Sequence, residues 1–352
     1  CCPPVIAGVG QAVGLPLFIA SFLKTSPTGP PELKTGPYFV VWFCSLMFNL
    51  LFWPLAYLDH RNGKLSQETL DYTKTSKHWK LIAIGVSDAL NGVCTVYASS
   101  ATRVPTALQP ILLQSIIPMT LVVSKLLLKK VYMPKQILGA VVVLLSIAVY
   151  FVPTFPSSPL PPLPQFESGP IWPFVLAIGT LPAALMNVLE EDVFEDVPRF
   201  NINYLLAWES LYQWLTVSAL FWTDIIQGFG TASSFSEWKT QFGNGFVCFV
   251  DDLSGTERCK YTAMLALIFT VAYSATYFFG SKMMKLTSAN YQGMLSSVTN
   301  PLAVVFWLVF SGLNSWAGGA SYTRMDTLWT LLSIPLMVGG AIMFRVYERD
   351  DL

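Results

Sequence analysis

Ten times along this chain, about 20 residues pass with almost no charge, which is the length an α-helix needs to cross a bilayer. Stretches such as Gly139–Val152 and Tyr261–Gly280 contain no Asp, Glu, Lys or Arg at all. Hydrocarbon offers no water to bond backbone amides and carbonyls, so segments of this kind satisfy themselves as helices. The segments are Val5–Leu23, Tyr38–Leu58, Trp79–Ala101, Ala107–Leu127, Pro134–Val152, Ile171–Leu189, Ile202–Ile226, Tyr261–Met283, Ala289–Leu313 and Leu328–Phe344. Charged residues make up only 12% of the chain, against about 25% in soluble domains. This rules out a water-exposed globular surface. Lysines plus arginines equal aspartates plus glutamates, 21 each, so no nucleic-acid partner is expected.

Basic residues orient the spans. With ten crossings both chain ends share one side, and that side holds fourteen of the 21 lysines and arginines, among them Arg61, Lys80, Lys130 and Arg345. Both termini are therefore expected in the cytosol. The loop 228–260 after the seventh span then lies on the other side with Cys248 and Cys259, which an oxidising compartment would let pair. The competing reading is two unpaired thiols. Cys44 and Cys94 sit in apolar runs and read as packing residues. The two histidines, His60 and His78, stand far apart, so no metal site and no cofactor are expected. The chain starts at Cys1, so its N-terminus and any targeting peptide are expected upstream, and the first helix is expected to be cut short. Trp42, Trp53, Trp79, Trp172, Trp222 and Trp316 lie near span ends and read as an interfacial belt.

The chain also repeats itself. "PTALQPILLQSIIPMTLVV" in the fourth span aligns with "SANYQGMLSSVTNPLAVVF" in the ninth, setting Pro118 on Pro301, Gln109 on Gln292, Leu112 on Leu295 and Val122 on Val305. Five spans separate the two, and an odd number turns the second half upside down in the membrane. Inverted repeats of this kind build secondary transporters, with solute sites near the bilayer midplane. The expected fold is an all-α membrane protein: ten transmembrane helices in two inverted-topology repeats, 1–165 and 166–352, around a central cavity. The Pro-rich stretch Pro153–Pro164 separates them.

Residues 79–312 resemble the chloroquine-resistance-transporter-like family of the drug/metabolite transporter superfamily. The resemblance is carried by the Asp88-Ala89 pair, "LQPILLQSIIP", "LGAVVVLLSIAV", "NVLEEDVF", "GNGFVCF" and "TSANYQGMLSSVTNPLAVVFW" in that order. It implies ten helices in two halves, a central cavity, and an extracytosolic helical hairpin-like loop braced by disulfides. It also implies residence in a vacuolar or plastid membrane and transport of drugs, short peptides, amino acids, or glutathione and its precursors, with protons driving the vacuolar members. The sequence departs from malaria-parasite members in having two loop cysteines rather than four. It has no acid near Ala275 in the eighth span and no lysine or other charge in the middle of the first.

Asp88 falls near the middle of the third span. An acid there costs about 2.5–3.5 kcal/mol on insertion scales, so it must face a cavity, pair with a cation or hold a proton. It reads as a proton-coupling or cation-binding group, or as a carboxylate bonded to Asn91 or Ser87. Glu209, in "LAWESLYQW", reads either as a second cavity acid or as a residue snorkelling to water. Glu190 and Glu191 close the sixth span; Glu191 matches an acidic position of the family and is the gate or coupling candidate, while Asp192, Glu195 and Asp196 read as a solvated face. Gln109, Gln114 and Gln292 are expected to line the cavity or to bond helix to helix, with Ser115 and Asn300 behind them. Pro118 and Pro301 should kink their helices and could gate the cavity. Arg103 reads as an attractor of anionic substrate groups or as an interfacial arginine.

These features point to a carrier of small organic solutes such as amino acids, short or thiol peptides, or amphipathic cationic drugs, with the bilayer, the solute and protons as its partners. A phosphate-ester or nucleotide-sugar exchanger needs cations in the cavity, and only Lys125 and Lys282 come near it. A membrane enzyme is not expected, because no span holds a histidine and Asp88 is the only clear midplane aspartate. A receptor or channel has no use for inverted halves.

Overall fold

The computed structural model of the chain describes residues 2–23, 35–151, 171–253, 259, 261–319, 322 and 324–348. The stretch Pro153–Pro164, the boundary at residue 165, and Cys1, Lys24, Lys34, Arg258, Lys260 and Arg349 lie outside the described residues. Among the described residues the regular structure is helical: an all-α membrane protein. The apolar segments fold as α1 (Cys2–Leu23), α2 (Pro37–Arg61), α4 (Trp79–Ala98), α5 (Leu108–Leu113) with α6 (Ile116–Leu127), α7 (Pro134–Phe151), α8 (Ile171–Asp196), α9 (Ile202–Ala219), α11 (Thr262–Leu286), α12 (Ala289–Val309) and α14 (Arg324–Glu348). Between them lie α3 (Gln67–Tyr72), α10 (Phe235–Leu253) and α13 (Ser311–Trp316).

Seven of these stretches are long and apolar enough to cross a membrane: Pro3–Phe22, Pro37–Arg61, Ser76–Ala98, Leu108–Leu127, Ile171–Asp196, Thr262–Leu286 and Thr327–Phe344. The apolar parts of α7 and α12 are shorter, Pro134–Val149 and Leu295–Val309. In α12 the polar residues Asn290, Gln292, Ser296, Ser297, Thr299 and Asn300 crowd the part of the helix before Pro301. In α9 the lowering residues are Asn203, Glu209, Ser210 and Gln213.

Local sequence sets the helix ends. Pro37 enters α2 at a position whose N–H has no helical partner to lose, and the helix stops before Gly63, which takes a left-handed φ of 68°. Asn201 caps α9 by accepting the Tyr204 N–H at 3.0 Å. Pro118 has no N–H to offer the Gln114 carbonyl, and the fourth segment breaks there into α5 and α6. The break is held on both sides: the Gln114 amide donates to the Ser296 carbonyl at 2.9 Å, and Ser115 bonds Thr180 at 2.9 Å. Pro301 sits inside an uninterrupted α12.

The helices pack in antiparallel pairs. In α4 against α8, Lys80 meets Asp192 at one end and Cys94 lies against Gly179 further along. In α1 against α11, Ser21 bonds Thr262 at 3.0 Å while Gly10 lies against Ala272. In α2 against α9, Tyr38 donates to the Val217 carbonyl at 3.0 Å and Asn203 to Asp59 at 2.7 Å. In α7 against α14, Gly139 and Gly340 face each other, and a methyl group on either would come within 2.7 Å of the other's carbonyl oxygen. Only glycine lets two backbones approach so closely, the small-residue packing that joins helices where lipid removes any hydrophobic drive. The outward faces are apolar: Leu138 and Leu145 of α7 and Leu267 and Val271 of α11 are exposed, as a lipid boundary requires.

The lysine-rich end is tied by ion pairs. Lys80 Nζ lies 2.5 Å from Asp192 and 2.7 Å from Asp196, Lys77 bonds Asp196 at 2.5 Å, and Tyr72 donates to Asp196 at 3.2 Å. The solvated face expected of Asp192 and Asp196 is therefore a seam, because the last turn of α8 stacks on the first turn of α4. The other end carries the Cys248–Cys259 disulfide, with both residues buried and Cα atoms 5.3 Å apart. The 228–260 loop holds α10, whose Trp238, Phe242 and Phe246 pack on Tyr38, Phe39 and Trp42. Of the tryptophans assigned to a belt, Trp79 and Trp222 are exposed, but Trp172 is buried. The Arg103 guanidinium lies 3.8 Å above the Trp172 ring.

Candidate functional site

A cavity of ≈ 190 Å³ opens among α1, α4, α5, α8, α11 and α12. Its polar wall is made of amides and hydroxyls: Gln11 from α1, Asn91 and Thr95 from α4, Gln109 from α5, Asn187 from α8, Thr276 and Tyr277 from α11, and Gln292, Thr299 and Asn300 from α12. Leu15, Leu113, Ile116, Met186 and Met284 supply an apolar side. Among the described residues its single carboxyl group is that of Glu190, and no lysine, arginine or histidine lines it.

Glu190 is fully buried from bulk water; its Oε2 accepts the Ser281 hydroxyl at 2.8 Å, and its Oε1 has no partner among the described residues. The Gln292 Oε1 also has none. Two acceptors without donors in one wall suit a ligand that brings N–H groups, because a buried unbonded acceptor costs about 1–3 kcal/mol. Gly280 makes room for Gln292: a methyl group there would lie 2.5 Å from the Gln292 Nε2.

Asp88 lies one layer deeper. It is fully buried and does not line the cavity. The Tyr273 hydroxyl donates to its Oδ2 at 3.2 Å and the Tyr277 hydroxyl donates to its Oδ1, while the Asn91 amide also faces it. Behind Tyr273, Gln213 donates to the phenol oxygen at 2.8 Å. Glu209 is fully buried, and neither carboxyl oxygen has a partner among the described residues. Its burial overturns the snorkelling alternative: α9 turns this face toward Gly85 of α4, where a methyl group would lie 2.6 Å from the Glu209 carbonyl. Asp88, Glu190 and Glu209 lie close enough to feel one another's charge.

The other sequence candidates fall as follows. Gln109 lines the cavity and donates to the carbonyls of Ser99 and Val104 at 3.0 and 2.8 Å. Gln114 and Ser115 are spent on the α5–α6 break. Glu191 points away from the cavity and pairs with Lys130 at 2.5 Å. Lys125 and Lys282 are exposed. Arg103 does not line the cavity: half-buried past the end of α4, it donates to the carbonyls of Tyr97 and Phe229 at 2.9 and 3.1 Å. Burial lowers its affinity for its proton.

Sequence reading missed Tyr273 and Tyr277; Gln213 was expected to bond near Glu209 and instead meets Tyr273. Tyr273 and Tyr277 are four apart in a charge-free span, so they share one helix face. That spacing was the available signal that the face meets an acid.

A family model described as chloroquine-resistance transporter-like matches residues 37–315. "Crt homolog 3" of Dictyostelium discoideum is 26% identical over 270 residues, 67% of this chain and 53% of the relative. "Protein CLT2, chloroplastic" of Arabidopsis thaliana is 24% identical over 321 residues, 89% of this chain and 70% of the relative. "Chloroquine resistance transporter" of Toxoplasma gondii is 30% identical over 175 residues, 49% of this chain and 18% of the relative. The match takes in about half of the Dictyostelium relative and less of the Toxoplasma one.

Proposed function

The chain belongs to the chloroquine-resistance transporter-like family, and from that membership we propose a proton-linked secondary carrier of small organic solutes, working by alternating access in a bundle of ten spanning helices. The termini are cytosolic, and the halves are 1–165 and 166–352. Each apolar segment is helical, and the antiparallel pairs fit a chain that reverses at every crossing. Numbered by span, the pairs are three with six, one with eight, two with seven, and five with ten. Exchanging each span with the one five places on turns the first pair into the second and each of the others into itself, as a two-fold inverted repeat requires. The repeat mates Gln109 and Gln292 lie in one cavity wall.

The observation that carries the solute class is the wall itself, which among the described residues has one carboxyl, several amides, unfilled acceptors and no cation. Solutes bearing an ammonium group and an apolar body fit it, as amino acids, short or thiol peptides and amphipathic bases do. Phosphate esters and nucleotide sugars find no positive partner there. Asp88, held by two phenols, is the coupling carboxyl, with Glu190 and Glu209 as its neighbours in the same acidic core. The α5–α6 break at Gln114–Ser115, one turn before Pro118, and the proline of α12, Pro301, are the points about which the cavity walls bend. The name of the chloroplastic relative supports a plastid membrane; a vacuolar membrane is the other residence that the family resemblance implies.

The test uses the purified chain in liposomes. Substrate-dependent counterflow of a labelled amino acid, glutathione or a cationic amphiphile is expected, stimulated by a pH jump, and Asp88→Asn should abolish the stimulation. Absence of counterflow across that panel removes the carrier reading; stimulation undiminished in Asp88→Asn removes the coupling role.

A further inference from the structure

Asp88 and the cavity are separated by a single layer of side chains. Tyr277 stands in the cavity wall and donates its phenol hydrogen to Asp88 Oδ1. Asn91 also lines the cavity and faces Asp88, but an amide has no proton it can give up and regain at neutral pH. The opposite side of the carboxyl is closed by Tyr273, which is buried and outside the cavity wall. The titratable groups around Asp88 are thus Tyr273 and Tyr277 on α11, Glu190 on α8 and Glu209 on α9. Among the described residues no basic side chain is bonded to it.

We infer that Tyr277 is the proton relay between the solute cavity and Asp88. This rests on the proton-linked carrier reading above. In loading, a hydronium or protonated solute in the cavity places its proton on the Tyr277 oxygen as the phenol passes its own proton to Asp88 Oδ1. The neutral carboxyl then donates to the phenol oxygen, and the new phenol hydrogen stays on the cavity side. In release, neutral Asp88 returns a proton to the Tyr277 oxygen as the phenol gives its own to the cavity. One proton crosses in each direction, no bond between heavier atoms changes, and the phenol is never left ionised. The aromatic packing of Tyr277 on Phe48 and Tyr273, with ring centres 5.1 and 4.6 Å apart, holds the ring in the wall while leaving its hydroxyl between the two compartments.

The arrangement separates relaying from supporting. Both tyrosines bond the same carboxyl, and only Tyr277 reaches the cavity. In liposomes, the ratio of pH-gradient-driven uptake to counterflow is measured for the wild type, Asp88→Asn, Tyr277→Phe and Tyr273→Phe. The relay predicts that Asp88→Asn and Tyr277→Phe both lose the gradient stimulation, while Tyr273→Phe retains the larger part of it. If Asp88→Asn loses stimulation and Tyr277→Phe keeps it, the relay is overturned and the carrier reading stands. Equal loss in the two phenylalanine variants overturns it too, since Tyr277 would then only support Asp88. If Asp88→Asn keeps the stimulation, the coupling reading falls and takes the relay with it. A second measurement covers a Tyr277→Phe protein that does not assemble: 3-fluorotyrosine at position 277 keeps the ring and makes the phenol more acidic. A larger shift in the pH profile of uptake at 277 than at 273 supports the relay; an equal or smaller shift overturns it.

Discussion

Lys130, just past the end of α6, reaches back to Glu191 of α8 with 2.5 Å between Nζ and Oε1. Glu191 is almost wholly buried while Lys130 keeps about a quarter of its side chain in solvent, 6% against 26% exposed. Removing the cation strands a buried charge, whereas removing the acid frees a lysine that can reach water. Lys130→Ala is therefore expected to lower stability by about 1–3 kcal/mol, discounted for solvent at the lysine, and Glu191→Gln by less. Thermal unfolding in detergent checks the order. Equal losses would mean that the pair is screened like an exposed one.

Arg103 is expected to matter for folding rather than for solute charge. It stacks on Trp172 and bonds two carbonyls from separate segments. Arg103→Ala should cost about 1–3 kcal/mol, and Arg103→Lys should recover little, since an ammonium cannot both stack and fork. The solute concentration for half-maximal uptake should stay unchanged. A large rise confined to anionic solutes would restore the steering reading.

The Cys248–Cys259 bond closes a short loop between α10 and α11. The double variant Cys248→Ser/Cys259→Ser should unfold about 2–3 kcal/mol more easily, the range for loops of this size. Reductant should lower the melting temperature of the wild type and leave the double variant unmoved. A wild type indifferent to reductant shows that the bond adds nothing.

The helices were readable because a bilayer demands about 20 apolar residues per crossing, and even α9 and α12 could be found through their polar interruptions. Which acid faces the cavity was not readable. Glu190 and Glu191 are adjacent, about 100° apart around the helix, and only packing decides that 190 turns to Ser281 and 191 to Lys130. Asp192 and Asp196 share a face, but that face is a seam only because α8 lies on α4, a long-range fact that no local pattern encodes. Trp172 illustrates the same limit: an aromatic residue at a span end is lipid-facing or buried according to what the next loop places on it, here Arg103 and Phe229.

Asp224 supplies a pH dependence beyond the end of α9, which stops at Ala219 although the seventh span was expected to run to Ile226. It lies in the turn Phe221–Ile225, is 1% exposed, and accepts the Thr231 N–H and hydroxyl at 3.1 and 3.2 Å. Burial holds its carboxyl above the ordinary range, and the bonds from Thr231 and the charge of Arg103 offset this only in part. The folded protein thus binds this proton more tightly than the unfolded chain does. The stability contributed by the neutral carboxyl is fully present below the unfolded value, about 3.9, and is lost as pH rises through the folded one. Asn keeps an oxygen for Thr231 and has no charge to desolvate. Asp224→Asn should therefore melt higher than the wild type at pH 7, and the gap should close as the pH falls toward 4. A gap that stays constant across that interval would mean that Asp224 keeps its charge throughout, with Arg103 compensating its burial.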